Sequence, residues 1–251
     1  RGNKLKIKDG DFMKKFMALL LVAGMTLSLT ACGGSTDTAK TDQADGKDTF
    51  TVGFDQDFPP FGYVGDDGEF TGFDIEMATE CAARMGKKIV LQPIDWDAKD
   101  MELEAGTIDC IWNGFTMNGR EDQYTWTDPY MDNSQVVVVK KDSGINTLAD
   151  LAGKVVEVQK ESAAETALND EEHADLMASF AQLLSVGEYN TAFMDLESGA
   201  VDAVAIDIGV AQFQIEGKED QYQILDETIS SEQYAVGFFL GNTALRDEVQ
   251  S

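Results

Sequence analysis

Met101-Glu-Leu-Glu-Ala-Gly-Thr-Ile-Asp-Cys-Ile111 and Met194-Asp-Leu-Glu-Ser-Gly-Ala-Val-Asp-Ala-Val204 are two versions of one pattern, 93 residues apart. The match holds in register from an aromatic residue (Trp96, Tyr189), through a candidate helix N-cap (Asp97, Asn190), to the apolar run after the aspartate. Each copy predicts a helix, a glycine stop and a buried strand. A unit of that kind written twice predicts two similar lobes.

Working outward, 49–54 alternates toward a short strand, 55–61 is a loop because its consecutive prolines supply no donors, and 66–68 is a turn. Residues 73–86 predict a helix with Gly86 as its stop, and 89–92 a strand. The first copy supplies a helix over 97–105 and a strand over 108–112. Between the copies, 136–139 is a β-branched run expected to be buried, 148–153 a short helix ended by Gly153, 154–158 and 183–186 strands, and 161–169 and 174–178 helical. The second copy gives a helix over 190–198 and a strand over 201–206. Beyond it come a helix at 210–215, strands at 222–225 and 233–240, and a helix from Ala244 that reaches Ser251 without a cap, which reads as a C-terminal truncation. Strands alternating with helices throughout predict an α/β fold with mostly parallel sheets.

The chain has 251 residues, 43% of them hydrophobic, enough for one large domain or two lobes with cores. Its formal net charge of −27 argues against a nucleic-acid partner, which requires clustered Lys and Arg, and against docking on anionic membrane by charge. A solvated, self-repelling surface that keeps an exported protein soluble accounts for it. The N-terminus reads as a targeting segment over 1–31. Met13-Lys14-Lys15 opens a charged region, 16–29 is an apolar run shorter than a comfortable membrane span, and residues 1–12 precede the start methionine this implies. Leu29-Thr30-Ala31-Cys32 resembles a bacterial lipobox, in which Cys32 is lipidated and becomes the first mature residue. Residues 32–48 then form a flexible tether without a large apolar residue.

Cys81 and Cys110 remain, as a disulfide permitted by export or as two buried thiols. No cysteine or histidine spacing suggests a metal, and the single histidine, His173, reads as a surface residue. No cofactor is expected.

In open α/β sheets ligands bind at the carboxyl ends of strands. After the first repeat strand come Asn113, Gly114, Phe115, Thr116 and Arg120; after the second comes Asp207. A guanidinium matches a carboxylate in two parallel bonds, and an aspartate accepts from an ammonium. A molecule carrying both groups on one carbon is an α-amino acid. Alternatively, Arg120 pairs with Glu121 or Asp122 at the surface, and Asp207 caps the following helix.

From 49 onward the chain resembles the family 3 bacterial solute-binding proteins, the amino-acid receptors of ABC importers. The resemblance rests on Asp55-x-x-Phe58-x-Pro60-Phe61, Gly72-Phe73-Asp74-Ile75-Glu76, Asp95-Trp96, Asn113-Gly-x-Thr116…Arg120, Asp128-Pro-Tyr130, Leu148-x-Asp-Leu-x-Gly-Lys-x-Val156 and Val201-Asp-Ala-Val-x-x-Asp207. It implies a two-lobed type II clamshell. Lobe one is expected over 49–131 and 233–251, lobe two over 132–232, with hinge segments at 130–134 and 230–234. It implies that Arg120, Thr116 and the Gly114 backbone hold the ligand carboxylate and that Asp207 holds its ammonium. Phe58 and Trp96 would flank the side chain, unless they are plain core. Asp55 would face its distal end, while Gln159 and Ser162 close from the second lobe.

Two departures stand out. The run Met117-Asn118-Gly119 is one residue shorter than usual and lacks its second hydroxyl, for which Asn118 is a substitute, and Glu161 and Ala163 occupy a loop that is more often glycine-rich. Asp55 beside two aromatic faces suits a polar or basic amino acid such as glutamine, arginine, lysine or histidine, and disfavours glutamate. The implied partner is an ABC permease, and the implied state is a monomer, lipid-anchored at the outer face of the cytoplasmic membrane or periplasmic. Two other classes share this fold: cyclohexadienyl or prephenate-type dehydratases, which need a positioned general acid or base, and sensor ectodomains.

Overall fold

The computed structural model describes residues 47–251. The expected leader, Cys32 and most of the tether lie outside the described residues. The tether's last two residues already belong to the fold: Lys47 Nζ bonds Asp109 Oδ1 at 3.1 Å, and the Asp48 carbonyl accepts the Lys88 N–H at 2.8 Å.

The chain opens with β1 (Thr49–Phe54), whose alternation buries Phe50, Val52 and Phe54. The expected 55–61 loop carries the first strand of a small antiparallel sheet, β2 (Asp57–Phe58), β3 (Gly62–Val64) and β4 (Phe70–Thr71). Then α1 (Phe73–Arg84) buries Ile75, Ala78 and Ala82, the two alanines in one cluster with Phe50 and Val52 of β1, and Gly86 beyond it takes φ 68°, the left-handed value that ends a helix. There follow β5 (Lys88–Pro93), a 3-10 turn Trp96–Ala98, α2 (Lys99–Ala105), β6 (Cys110–Ile111), β7 (Thr125–Trp126) and the long β8 (Met131–Lys140). The second half contains β9 (Val155–Gln159), α3 (Ala163–Asn169), α4 (Ala174–Ser179), β10 (Gln182–Val186), α5 (Tyr189–Ser198), β11 (Ala203–Asp207), α6 (Ile208–Ile215) and β12 (Tyr222–Ile224). The last elements are β13 (Ser230–Tyr234), β14 (Gly237–Phe238) and α7 (Thr243–Gln250).

Two sheets result. The first runs β5-β1-β6-β14-β7 and the second β10-β9-β11-β8-β12, with β13 also paired to β8. Each contains a parallel trio, β5-β1-β6 or β10-β9-β11, followed by an antiparallel strand supplied by the other half of the chain. The β8–β13 ladder, from Met131 opposite Tyr234 to Gln135 opposite Ser230, carries the chain between them.

The repeat builds the same scaffold twice. Leu103 and Leu196, at matched positions, are buried, and Gly106 (φ 71°) and Gly199 (φ 82°) close their helices in the left-handed conformation. The repeated aspartates extend the parallel ladder with a side chain. Asp109 Oδ2 accepts the Thr51 N–H at 2.8 Å while its own N–H goes to Thr51 O at 2.7 Å. Asp202 Oδ2 accepts the Val155 N–H at 2.9 Å and its N–H goes to Val155 O at 2.9 Å.

Several expectations need correction. Asp97 and Asn190 are not caps. Asp97 lies inside the 3-10 turn and Asn190 inside α5, and both side chains reach across the molecule instead. The expected strand over 108–112 pairs only at Cys110–Ile111, because Asp109 uses its carboxylate in the ladder and the chain bends away at Gly114. The run 233–240 is not one strand, since β13 belongs to the second sheet, β14 to the first, and the chain changes sheets at Ala235-Val236. Cys81 and Cys110 are both free thiols; Cys110 is fully buried, which pushes its thiol well up.

Candidate functional site

The carboxyl ends of both parallel trios converge on one cavity. All nine expected site residues line it: Asp55, Phe58, Trp96, Gly114, Thr116 and Arg120 from the first half of the chain, and Gln159, Ser162 and Asp207 from the second. Asn113 and Ala163 complete the lining. Its volume is about 20 Å³, room for about one water. An amino acid therefore enters only when the walls part.

Arg120 follows β6. Its surface-pairing alternative fails: the residue is 9% exposed and no ion pair of the described residues includes it. Nη1 donates to Thr116 O and Nη2 to Glu161 O, each at 3.2 Å, and the guanidinium lies 5.4 Å from the centre of the Phe115 ring. Neutral carbonyls leave its charge without an anion.

Asp207 ends β11 and stands at the N-cap position of α6, but its side chain makes no capping bond. Oδ1 instead accepts from Asn133 Nδ2 (2.7 Å), Gln135 Nε2 (2.8 Å) and the Tyr234 hydroxyl (2.6 Å). Among the described residues no donor reaches Oδ2. Burial first, and then the neighbouring Glu232 charge, hold this carboxyl well above the ordinary carboxylate range.

Asp55, at the end of β1, is buried. Its Oδ1 accepts the Asp57 N–H at 2.8 Å, and its Oδ2 accepts Gln159 Nε2 at 2.6 Å. Burial raises its pKa to about 6 against those hydrogen bonds. Gln159 thus makes, from the opposite wall, the contact a ligand's distal N–H group would make.

Phe58 packs on Phe61 and Tyr189, with centroids 5.7 and 6.1 Å apart, so it is shared between core and cavity. Trp96 meets Phe115 edge-on at 5.5 Å and carries Lys99 Nζ 5.3 Å from its centre.

Two roles implied by the resemblance change. The Gly114 N–H does not point into the cavity; it donates to Asp74 Oδ2, which also takes the Tyr130 hydroxyl at 2.9 Å. Gly114 is needed for shape, since its φ is 57° and an added Cβ would meet Phe58 Cε1 at 2.9 Å. The Thr116 hydroxyl is taken by Glu232 Oε1 at 2.7 Å, which leaves the Thr116 N–H, without an acceptor among the described residues, as the group it can offer a ligand. Ser162 caps α3, accepting the Glu165 N–H at 3.1 Å, and keeps its own proton to donate. Asn118 accepts the Gln233 N–H at 2.7 Å at the surface and does not line the cavity. Glu161 sits at φ 60°, where glycine is ordinary, and presents its carbonyl to Arg120.

The two walls also touch at the rim. Lys160 Nζ meets Asp97 Oδ2 at 2.7 Å, and Asn190 Nδ2 donates to Asp57 Oδ1 at 2.7 Å. The repeat positions read as caps are thus contacts between the walls. Beyond Asp55 the cavity adjoins a larger cleft of about 580 Å³, lined by Asp57, Asp95, Asp97, Glu102 and Glu188 and by no basic side chain.

Sequence reasoning missed Asn133, Gln135 and Tyr234, which donate to Asp207 from behind, and Glu232, which shares the Asn133 and Gln135 amides with it. The available signal was period-two spacing. Polar residues two apart in otherwise buried strands share one face, and that face points at a partner.

Residues 50–250 match the model of the bacterial extracellular solute-binding proteins, family 3. The L-cystine-binding protein TcyJ of Escherichia coli (strain K12) is 30% identical over 232 residues, 91% of this chain and 83% of that protein. The arginine-binding extracellular protein ArtP of Bacillus subtilis (strain 168) is 36% identical over 148 residues, 59% of this chain and 56% of that protein. The crystal structure of an ABC uptake transporter substrate-binding protein from Streptococcus pneumoniae with bound histidine superposes with a TM-score of 0.77. It is 33% identical and covers 81% of this chain and 84% of that one.

Proposed function

This chain belongs to the bacterial extracellular solute-binding proteins of family 3, and we propose that it captures an L-amino acid between two lobes for delivery to an ABC importer. The carrying observation is that Arg120 and Asp207, an unpaired guanidinium and a carboxylate with a free oxygen, face one cavity from opposite halves of the chain. Lobe one comprises 49–131 and 233–251, lobe two 132–232, and the β8–β13 ladder is the hinge. The open form takes the ligand carboxylate on Arg120 and the Thr116 N–H, and Ser162 reaches it from the second lobe on closure. Closure brings Asp207 to the ammonium and excludes water, which strengthens each ionic contact.

The side chain lies between Phe58 and Trp96 and ends at Asp55, displacing the Gln159 amide. That exchange suits a ligand with distal N–H donors, and the acidic cleft beyond Asp55 favours a cationic one, so arginine, lysine and histidine rank ahead of glutamine. The family relatives named above are binding proteins, which favours the receptor reading over a dehydratase. Cys32 carries the lipid that anchors the mature chain at the outer face of the cytoplasmic membrane, and the receptor acts as a monomer.

Calorimetric titration with the twenty amino acids and cystine tests this. At least one polar or basic member is expected to bind with Kd near or below about 1 μM, or about −8 kcal/mol. Failure of every one to bind would overturn the proposal.

A further inference from the structure

Two buried carboxylates face each other at the hinge. Asn133 Nδ2 donates to Asp207 Oδ1 and to Glu232 Oε1, each at 2.7 Å. Gln135 Nε2 donates to the same two oxygens at 2.8 and 2.7 Å. Each amide nitrogen has two hydrogens, so both are fully used in clamping the pair. Thr116 adds a third donor to Glu232 Oε1, and Tyr234 a third to Asp207 Oδ1. Both acids are buried, at 4% and 6% exposure, and no ion pair of the described residues includes either. Gln135 Oε1 is buried with no donor among the described residues.

Two adjacent carboxylates cannot both stay ionised in a dry site without a cation or a proton. Glu232 does not line the ligand cavity, whereas Asp207 does. We propose that Glu232 is a positioning residue for Asp207, and that Asp207, clamped to it by Asn133 and Gln135, carries a proton that an incoming ligand ammonium displaces to solvent. The inference rests on the assignment of Asp207 to the ligand ammonium. The step balances: a neutral carboxyl loses H⁺ to buffer, and the resulting carboxylate accepts from the ammonium. Since Asn133 and Gln135 lie on β8 and Glu232 on β13, the same exchange acts on the two strands that join the lobes.

Glu232 and Tyr234 face Asp207 from β13, Tyr189 from α5 and Arg120 from across the cavity, with Tyr130 behind Tyr234. Burial and the Glu232 charge both hold the Asp207 carboxyl up. Asp55, at the far end of the cavity and raised to about 6, is the other acid able to contribute a proton, so it needs its own control.

The experiment is isothermal titration of the full chain with L-arginine, L-histidine and L-glutamine from pH 5.5 to 8.5, in buffers of different ionisation enthalpy. Proton release is expected on binding, with affinity rising by up to tenfold per pH unit while Asp207 is protonated. Asp55→Asn keeps that slope, Glu232→Gln flattens it and lowers proton release, and Glu232→Asp restores it. Flat wild-type affinity with buffer-independent heats overturns the inference, as does a wild-type slope in Glu232→Gln. If Glu232→Gln does not fold, the heats of Asp55→Asn decide: proton release that persists there supports the inference, and its loss overturns it. If Asp207→Asn binds as the wild type does, the ammonium assignment itself falls.

Discussion

Replacing Arg120 by Met separates the site's contribution to binding from its contribution to folding. The long apolar side chain replaces the stem and removes the charged head, which lies 5.4 Å from the centre of the Phe115 ring. The folded chain loses two hydrogen bonds from a charged donor, to Thr116 O and Glu161 O, each at 3.2 Å. Such bonds contribute about 1.5–3 kcal/mol apiece. Against that, a cation at 9% exposure with no anionic partner carries a desolvation penalty of several kcal/mol, which the substitution removes. The two terms nearly cancel, so folding stability should change by no more than about 2 kcal/mol. Binding has no such offset. The ligand carboxylate would lose its bidentate partner and remain desolvated, a cost of about 3–5 kcal/mol, or roughly a hundred- to several-thousand-fold in Kd. Calorimetry with L-arginine measures the second quantity and urea unfolding the first. A Kd within fivefold of the wild type would refute the reasoning, whatever the stability.

Other expectations follow from single contacts. Glu161→Gly should raise stability by about 0.5–1 kcal/mol in urea unfolding, because glycine relieves the φ of 60° and the only ion pair lost is a loose one to Lys99 at 3.8 Å; a loss above about 1 kcal/mol would contradict it. Asp109→Asn and Asp202→Asn should each cost about 1–2 kcal/mol, since each carboxylate caps one strand N–H in the same way, with Asp109→Asn the larger because Asp109 is more buried and also meets Lys47 Nζ at 3.1 Å; a silent member of the pair would show the repeat is not structurally equivalent. Asp55 and Asp74 titrate in the folded chain at about 6 and about 7, both above their unfolded values because burial disfavours their charge. Protonation therefore favours the folded form, so their contribution is complete below about pH 4 and is lost as pH rises to about 7. The melting temperature without ligand should climb from pH 7.5 toward 4.5, less steeply in Asp74→Asn; a wild-type optimum above pH 7 would be inconsistent with these assignments.

The fold was legible because the repeat carries it in local signals. A leucine on the buried helix face, a left-handed glycine and an aspartate that caps the neighbouring strand act within about a dozen residues of one another in sequence or through the adjacent parallel strand. The placement of the candidate site residues was legible for a related reason: Arg120 and Asp207 follow matched strands, and strand ends face the cleft. What sequence could not supply is which hydrogen-bonding atoms remain available once the walls meet. Gly114 and Thr116 lie where the pattern places them, yet one N–H goes to Asp74, 40 residues back, and the hydroxyl goes to Glu232, 116 residues ahead. Asp97 and Asn190 have a cap's composition at nearly a cap's position, and a shift of one or two residues in the helix start turns them outward to Lys160 and Asp57. The Asp207–Glu232 clamp depends on cross-strand register, because Asn133 pairs with Glu232 and Gln135 with Ser230 only at the observed alignment of β8 and β13. A slip of one residue would turn Asn133 and Gln135 to the opposite face. The two lobes are therefore written locally and twice, while the clamp on Asp207, proposed to read an ammonium, is written once, across 97 residues between Gln135 and Glu232, and only pairing assembles it.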